Sequence, residues 1–292
     1  MRTWLCVAFC FAPWSLLAAN AMALDVNALW DHSQPALSEQ RFVAALGSAT
    51  ADERLILQTQ IARTHGMRRD FAKAREILAA VEPQLAGASP EARVRYHLEL
   101  GRAQVSPAHP RDAITPSSRV AARENYLKAY ELAAQARLDF LAIDALHMMV
   151  VVDTEPEQQL AWNQKALDHL VKSDQPEAKG WEGSLRNNVG YALHLKGDHD
   201  AALAQFQLSR AAHERAGKVR NVRIADWMIA WTWRAQKRYD KALALQLELE
   251  RAWQADGQPD PYVFEELEHL YRALGDETRA QAYAAKLKAA SK

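Results

Sequence analysis

From residue 51 to residue 289 apolar residues recur three and four positions apart, the spacing that gathers them on one face of a helix. Strict alternation, the mark of a half-buried strand, is nearly absent. MMVVVD (148–153) is β-rich by composition, but it closes a helical pattern and stands alone, so it reads as the buried end of a helix. Short polar breaks cut the pattern at regular intervals and predict about six antiparallel helix pairs: 51–85, 90–135, 138–171, 177–216, 219–255 and 261–289. Pair two carries an insertion, SPAHPRDAITPSS (106–118), in which Pro107, Pro110 and Pro116 forbid continuous helix. A short helix near 38–46 precedes the pairs and is expected to cap the apolar end of the stack.

The breaks have a common chemistry. In SLRNNVGYALHLKGDHDAALAQF (184–206), Gly197 ends one helix in a left-handed conformation, and Asp198 caps the next. Gly190 and Ala202 are small where two helices must cross closely, and Leu193 and Phe206 fill the space beside them. Ala202, Ala242 and Ala280 recur about every 38–40 residues. Val189-Gly190, Leu193, Ala202 and Phe206 resemble the tetratricopeptide repeat, although Arg186 and Glu214 stand where that family has its opening Trp and closing Pro. The period is longer than the family's usual 34 or so residues. The resemblance implies an all-α fold, a right-handed α-solenoid whose first helices line a concave groove.

Helical spacing, with that groove as the guide, selects the inner-wall candidates: Asn187, Tyr191 and His194, then Trp227, Trp231 and Arg234, then Glu265 and His269. Arg63, Arg95 and Arg102 fall at similar offsets upstream. The wall is therefore expected to run from basic to acidic along the solenoid. Trp233 takes the family's Tyr slot and is expected in the core; Trp227 and Trp231 fit core and binding platform equally well. His194 and His199 straddle a turn with Asp198 and Asp200 nearby, but a metal site needs converging ligands, and Asp198 is aimed at its own helix start. Glu265-Glu266 reads as helix-start charge, since adjacent residues on a helix point apart. RTHGMRRD (63–70) reads as a solvated, charged turn.

The first residues change the expected compartment. Arg2, an apolar run from Trp4 to Leu17 and small-x-small sites at Ala19-Asn20-Ala21 and Ala21-Met22-Ala23 predict a cleaved signal peptide over 1–23. A cap segment, 24–50, and a repeat domain, 51–292, follow. Both cysteines, Cys6 and Cys10, lie in the leader, so the exported chain would hold together without disulfides. It is expected in the bacterial periplasm or secreted, with no membrane span once the leader is removed.

The 36 basic and 36 acidic side chains balance, which argues against nucleic acid as a general partner. No phosphate loop, HExxH, Cys pair or Gly-x-Ser-x-Gly elbow appears beyond residue 23. The expectation is a non-catalytic scaffold without cofactors or metal, binding a protein or peptide partner in the envelope. A periplasmic small-ligand sensor is the second reading, and a hydrolase with an unrecognised site the third.

Overall fold

A computed structural model describes residues 24–290; the expected signal peptide lies outside the described residues. After a 3-10 turn at Asn27–Leu29, helix α1 (Pro35–Ala45) precedes six pairs. These are α2 (Ala51–Met67) with α3 (Phe71–Val81), α4 (Pro90–Gln104) with α5 (Pro116–Gln135), and α6 (Asp139–Val152) with α7 (Pro156–Lys172). A one-turn helix, α8 (Pro176–Lys179), leads into α9 (Glu182–Leu195) with α10 (His199–Arg215). The chain closes with α11 (Val219–Ala235) and α12 (Tyr239–Ala255), then α13 (Pro261–Ala273) and α14 (Glu277–Ala290). No strand occurs among the described residues. Each second helix packs on its own first helix and, except for α14, on the first helix of the next pair, so the fold is an all-α solenoid of the expected tetratricopeptide-like pairs.

The turns within pairs reuse one device. Gly197 has φ +84°, and the Asp198 carboxylate then accepts the Ala201 N–H at 3.2 Å. Gly275 (φ +80°) and Asp276 repeat it on Arg279. Arg69 (φ +65°) and Asp70 repeat it on Lys73, although the left-handed residue there is not glycine. A left-handed residue reverses the chain after the last helical carbonyls, and the following Asp satisfies an orphan N–H of the next helix.

Within pairs, glycine meets an aromatic ring. A Cβ on Gly190 would lie 2.6 Å from Phe206 Cε1, and one on Gly101 would lie 2.6 Å from Tyr126 Cε1. A Cβ on Gly183 would meet the His213 ring in the same way, and Ser209 Oγ donates to the Gly183 carbonyl at 2.8 Å. Phe206 and Tyr126 are fully buried. Met148, Met149 and Val152 are buried at the end of α6, as the helical reading of MMVVVD requires. Trp233 is half-buried, packed on the small clusters around Phe206 and Leu270.

Two connections do more than join helices. In the insertion, His109 stacks on Phe71 with ring centroids 3.6 Å apart, and Tyr126 donates its hydroxyl to the Val105 carbonyl at 2.6 Å. The turn after α2, expected to be merely solvated, docks the cap helix: Arg68 and His65 both pair with Glu39 of α1.

The Gly190–Phe206 contact gives a direct test. Gly190→Leu is expected to force the α9–α10 crossing apart and cost about 1–3 kcal/mol. Gly197→Ala, in open space but at positive φ, is expected to cost about 1 kcal/mol through the backbone alone. Urea denaturation followed by circular dichroism ranks the two.

Candidate functional site

The first helices α2, α4, α6, α9, α11 and α13 carry the inner-wall residues, and side-chain hydrogen bonds tie those from α4 to α13 in succession. Arg102 Nη2 reaches Asp144 Oδ1 at 2.5 Å, joining α4 to α6. Asn188 Nδ2 donates to His147 Nδ1 at 3.2 Å, joining α9 to α6. His194 Nδ1 lies 2.9 Å from Thr232 Oγ1, joining α9 to α11. Arg234 clamps both oxygens of Glu266, at 2.5 and 3.0 Å, joining α11 to α13. The wall therefore has two stations, an aromatic one late in the chain and a charged one early.

The late station is a ladder of rings. His194 is stacked on Trp231 with centroids 3.3 Å apart. Tyr191 stacks on the same indole at 5.9 Å, and Trp227 continues the row at 5.8 Å. Trp227 Nε1–H donates to the Tyr262 carbonyl at 3.0 Å, and the Tyr262 ring stands edge-on to it. Tyr191 and Tyr262 are exposed, the latter by 67%; Trp227 and Trp231 are half-buried. Beside this row opens a cavity of about 570 Å³ lined by Tyr191, Trp227, Met228, Trp253 and Tyr262 together with Arg220 and Arg223. Trp227 thus forms a wall, whereas Trp231 is wedged behind it between other rings. The Arg223 guanidinium lies over Trp253 at 4.7 Å and bonds Asp256 at 2.6 Å.

His194 is uncharged here. Its pKa is pushed down to about 4, first by burial and then by His199 and Arg234. Thr232 Oγ1 donates its proton to the Met228 carbonyl, so His194 Nδ1–H is the donor to Thr232. His194 and His199 are ring neighbours, 5.0 Å apart. No group of three or more His, Cys, Asp or Glu side chains among the described residues is placed to hold a metal ion.

At the early station Arg102, its side chain 12% exposed, lies between Glu99 Oε1, at 2.6 Å, and Asp144. Burial works against its charge, but the carboxylates of Asp144 and Glu99 outweigh it and raise its pKa. Arg95 is buried with its Nε on Glu91 Oε1 at 2.8 Å. Arg63 lies over the Trp30 ring at 5.2 Å and no closer than 3.8 Å to Glu99.

The charge gradient expected along the wall is corrected by these partners. Glu91, Glu99 and Asp144 stand against the three early arginines. At the far end Arg234 meets Glu266, which is 2% exposed; Glu265 and His269 are exposed at the surface of α13. Asn187 Oδ1 is buried without a hydrogen bond. Sequence reasoning missed Trp253, Tyr262, Arg220 and Arg223 late in the chain, and Trp30, Glu99, Asp144 and Trp181 early. Tyr262 had a signal, an aromatic immediately after Pro261 at a helix start. Trp253 had none, because it reaches the cavity from a second helix.

No family model matches the chain, and no curated protein matches it. Among solved structures it is similar to the apo form of RapI, with a TM-score of 0.68 and 12% identity over 90% of this chain and 74% of that one. A STAND signal-transduction ATPase with a tetratricopeptide repeat sensor, from Pyrococcus horikoshii, gives a TM-score of 0.65 at 13% identity. That match covers 87% of this chain and 38% of the ATPase. Aspartyl phosphate phosphatase F from Bacillus subtilis gives 0.56 at 14% identity, over 89% and 76%. At these identities the likeness is one of fold.

The depressed His194 pKa sets a pH dependence. The ordinary imidazole value is 6.5, so between pH 6.5 and about 4 the unfolded chain takes up a proton that the folded chain refuses. This contribution to stability is full above pH 6.5 and is lost as pH falls towards 4. Burial also lowers the pKa of His97, His147 and His213, so the slopes add. The melting temperature should fall over this window, and less steeply for His194→Gln than for the wild type. Equal slopes would place His194 in water.

Proposed function

We propose that this chain, a tetratricopeptide-like solenoid, is a non-catalytic scaffold that binds a short segment of a protein partner against its late inner wall. The observation that carries the reading is the open aromatic cavity of about 570 Å³ beside Trp227 and Tyr262. Exposed Tyr191 and Tyr262 offer large, rigid contact area at low entropic cost, and half-buried Trp227 gives a side chain something to pack on. Exposed Arg220 in the cavity lining favours an acidic residue flanking that side chain, whereas Arg223 is already paired with Asp256. The segment is thus an apolar or aromatic residue beside Asp or Glu.

Of the structures alike in fold, one is named a signal-transduction ATPase with a repeat sensor and another an aspartyl phosphate phosphatase. The sensor's name is in keeping with a binding role. At the late station the imidazole nearest a hydroxyl, His194, donates to Thr232 rather than accepting from it, and Thr232 is fully buried; the phosphatase activity named for one neighbour is not transferred on 14% identity.

The place of action in this proposal is the bacterial envelope, periplasmic or secreted. The leader pattern over 1–23 supports it, as does the lack of cysteine after residue 10. Among the described residues no helix is long and apolar enough to cross a membrane. N-terminal sequencing of exported protein should start near Met22 or Leu24; material that begins at Met1 would overturn export.

Partner binding separates the wall from the wedge. The partner is first captured from envelope extract and its bound segment synthesised. Trp227→Ala should then weaken binding by about 2 kcal/mol, roughly thirtyfold, with helicity retained. Trp231→Ala should lower the melting temperature as well, because it removes the ring on which His194 and Tyr191 stack. Arg220→Glu should slow association at low salt and change dissociation little. Undiminished binding by Trp227→Ala would remove the late cavity from the function.

A further inference from the structure

The early station holds cavities of its own, and their chemistry differs from that of the aromatic one. One, of about 380 Å³, has an aliphatic lining that includes Met67, Ala103, Pro107 and Met148. Another, of about 120 Å³, is bounded by Asn27, Trp30 and His32 of the cap segment. Both share Arg63, Glu99, Asp144 and Trp181 as walls. The cap segment is fixed there: Trp30 Nε1–H donates to Gln60 Oε1 at 3.0 Å, and the Trp30 ring stacks on His32 and stands edge-on to Phe42. A groove bounded on one side by the cap and on the other by α6 and Trp181 suits a small molecule better than an extended chain.

The polar groups on this wall do not close among themselves. Arg102 commits one terminal nitrogen to Glu99 Oε1 and the other to Asp144 Oδ1. Glu99 Oε2 is left without a hydrogen-bond partner on a side chain 2% exposed. Trp181 Nε1 is buried and likewise has none. Arg63 makes no hydrogen bond; its nearest carboxylate oxygen is 3.8 Å away, and its side chain is a quarter exposed. A buried indole N–H and a buried carboxylate oxygen therefore remain, beside a guanidinium that is part-exposed and free of hydrogen bonds within the protein. A buried polar group without a partner is costly, so the complement to this set is specific.

Charge narrows the complement further. Arg63 and Arg102 balance Glu99 and Asp144. A simple anion would meet Arg63 but crowd Glu99, and a simple cation would do the reverse. A molecule with both charges a few ångströms apart satisfies both, and the aliphatic lining calls for an apolar body.

We propose that this cavity binds a free aliphatic α-amino acid. Its carboxylate pairs with Arg63 and accepts from Trp181 Nε1–H, its ammonium donates to Glu99 Oε2, and its side chain lies against Met67, Pro107 and Met148. A peptide does not fit the pattern, because it carries its two terminal charges at opposite ends. The site does not depend on the aromatic cavity or on the reading given to it.

Native mass spectrometry of the purified protein, which also reveals any amino acid carried through purification, should show one bound leucine per chain. Isothermal titration calorimetry at pH 7 should then give saturable binding of leucine. N-acetyl-leucine, which lacks the ammonium, and leucinamide, which lacks the carboxylate, should each bind at least tenfold more weakly. Glutamate and lysine should be rejected. Arg63→Met should lose leucine binding at least tenfold with unchanged circular dichroism. The ligand series on the wild-type protein decides the matter if that variant fails to fold. Absence of a leucine complex, or equal binding of leucine and either blocked derivative, would overturn the proposal.

Discussion

The close crossing of the two helices in a pair is the constraint on which the rest depends. At Gly101, Gly183 and Gly190 the ring of Tyr126, His213 or Phe206 occupies the space where a Cβ would stand. A first helix held this close to its partner has little freedom to rotate about its own axis, because interiors packed at this density do not deform smoothly. That rotation decides which residues face inward. In α9, Gly190 turns to Phe206, and so Tyr191 and His194 are placed against Trp231 of the next first helix. The contact that builds the pair also aims the wall.

Between pairs, the inner wall is joined by polar bonds. Arg102–Asp144, Asn188–His147, His194–Thr232 and Arg234–Glu266 each link a first helix to a neighbouring one. Taking the charged pairs among them, Arg102–Asp144 and Arg234–Glu266, from water costs free energy that an apolar pair of equal volume would not lose. Their effect is therefore better sought in geometry. A planar guanidinium gripping both oxygens of Glu266 accepts one mutual orientation, whereas methyl groups slide. In a solenoid stabilised only between neighbouring repeats the curvature is set at the interfaces between pairs, and these bonds hold each interface in one orientation. With no cysteine after residue 10, no disulfide can reinforce them.

How much of this was legible in the sequence follows from the range of each interaction. Gly197-Asp198 and Gly275-Asp276 act within a few residues, so pair boundaries could be read directly, and the cap helix appeared within a few residues of its expected place. Gly190 and Phe206 lie on adjacent helices at a spacing the repeat fixes, and they too were readable. The wall residues of the first helices could be placed by register but not by partner. Arg102 is a groove arginine from its spacing alone; only the fold brings Asp144, 42 positions on, to its side and cancels its charge. Arg234 likewise finds Glu266 and not Glu265, because one residue on a helix turns the side chain by about 100°. Trp253 and the Trp30 cap reach the wall from outside the first helices, where no periodicity points to them.

The two stations differ because their boundaries differ. Early in the chain Trp30 packs against Arg63, and α6 with Trp181 closes the far side, so Glu99, Asp144 and the Trp181 N–H are withdrawn from water and must match whatever meets them, while Arg63 keeps some contact with it. Late in the chain Tyr191 and Tyr262 stand at the surface, and of the nearest charges Arg220 is exposed, where water screens it, and Arg223 is paired with Asp256. Buried, unmatched polar atoms discriminate strongly between similar small molecules, since each wrong group leaves a desolvated partner. Exposed rings discriminate weakly but tolerate varied chains, since their contact is with area. A repeat fold can hold both kinds of surface along one wall, because each pair touches only its neighbours and the demands made on one end need not be met at the other.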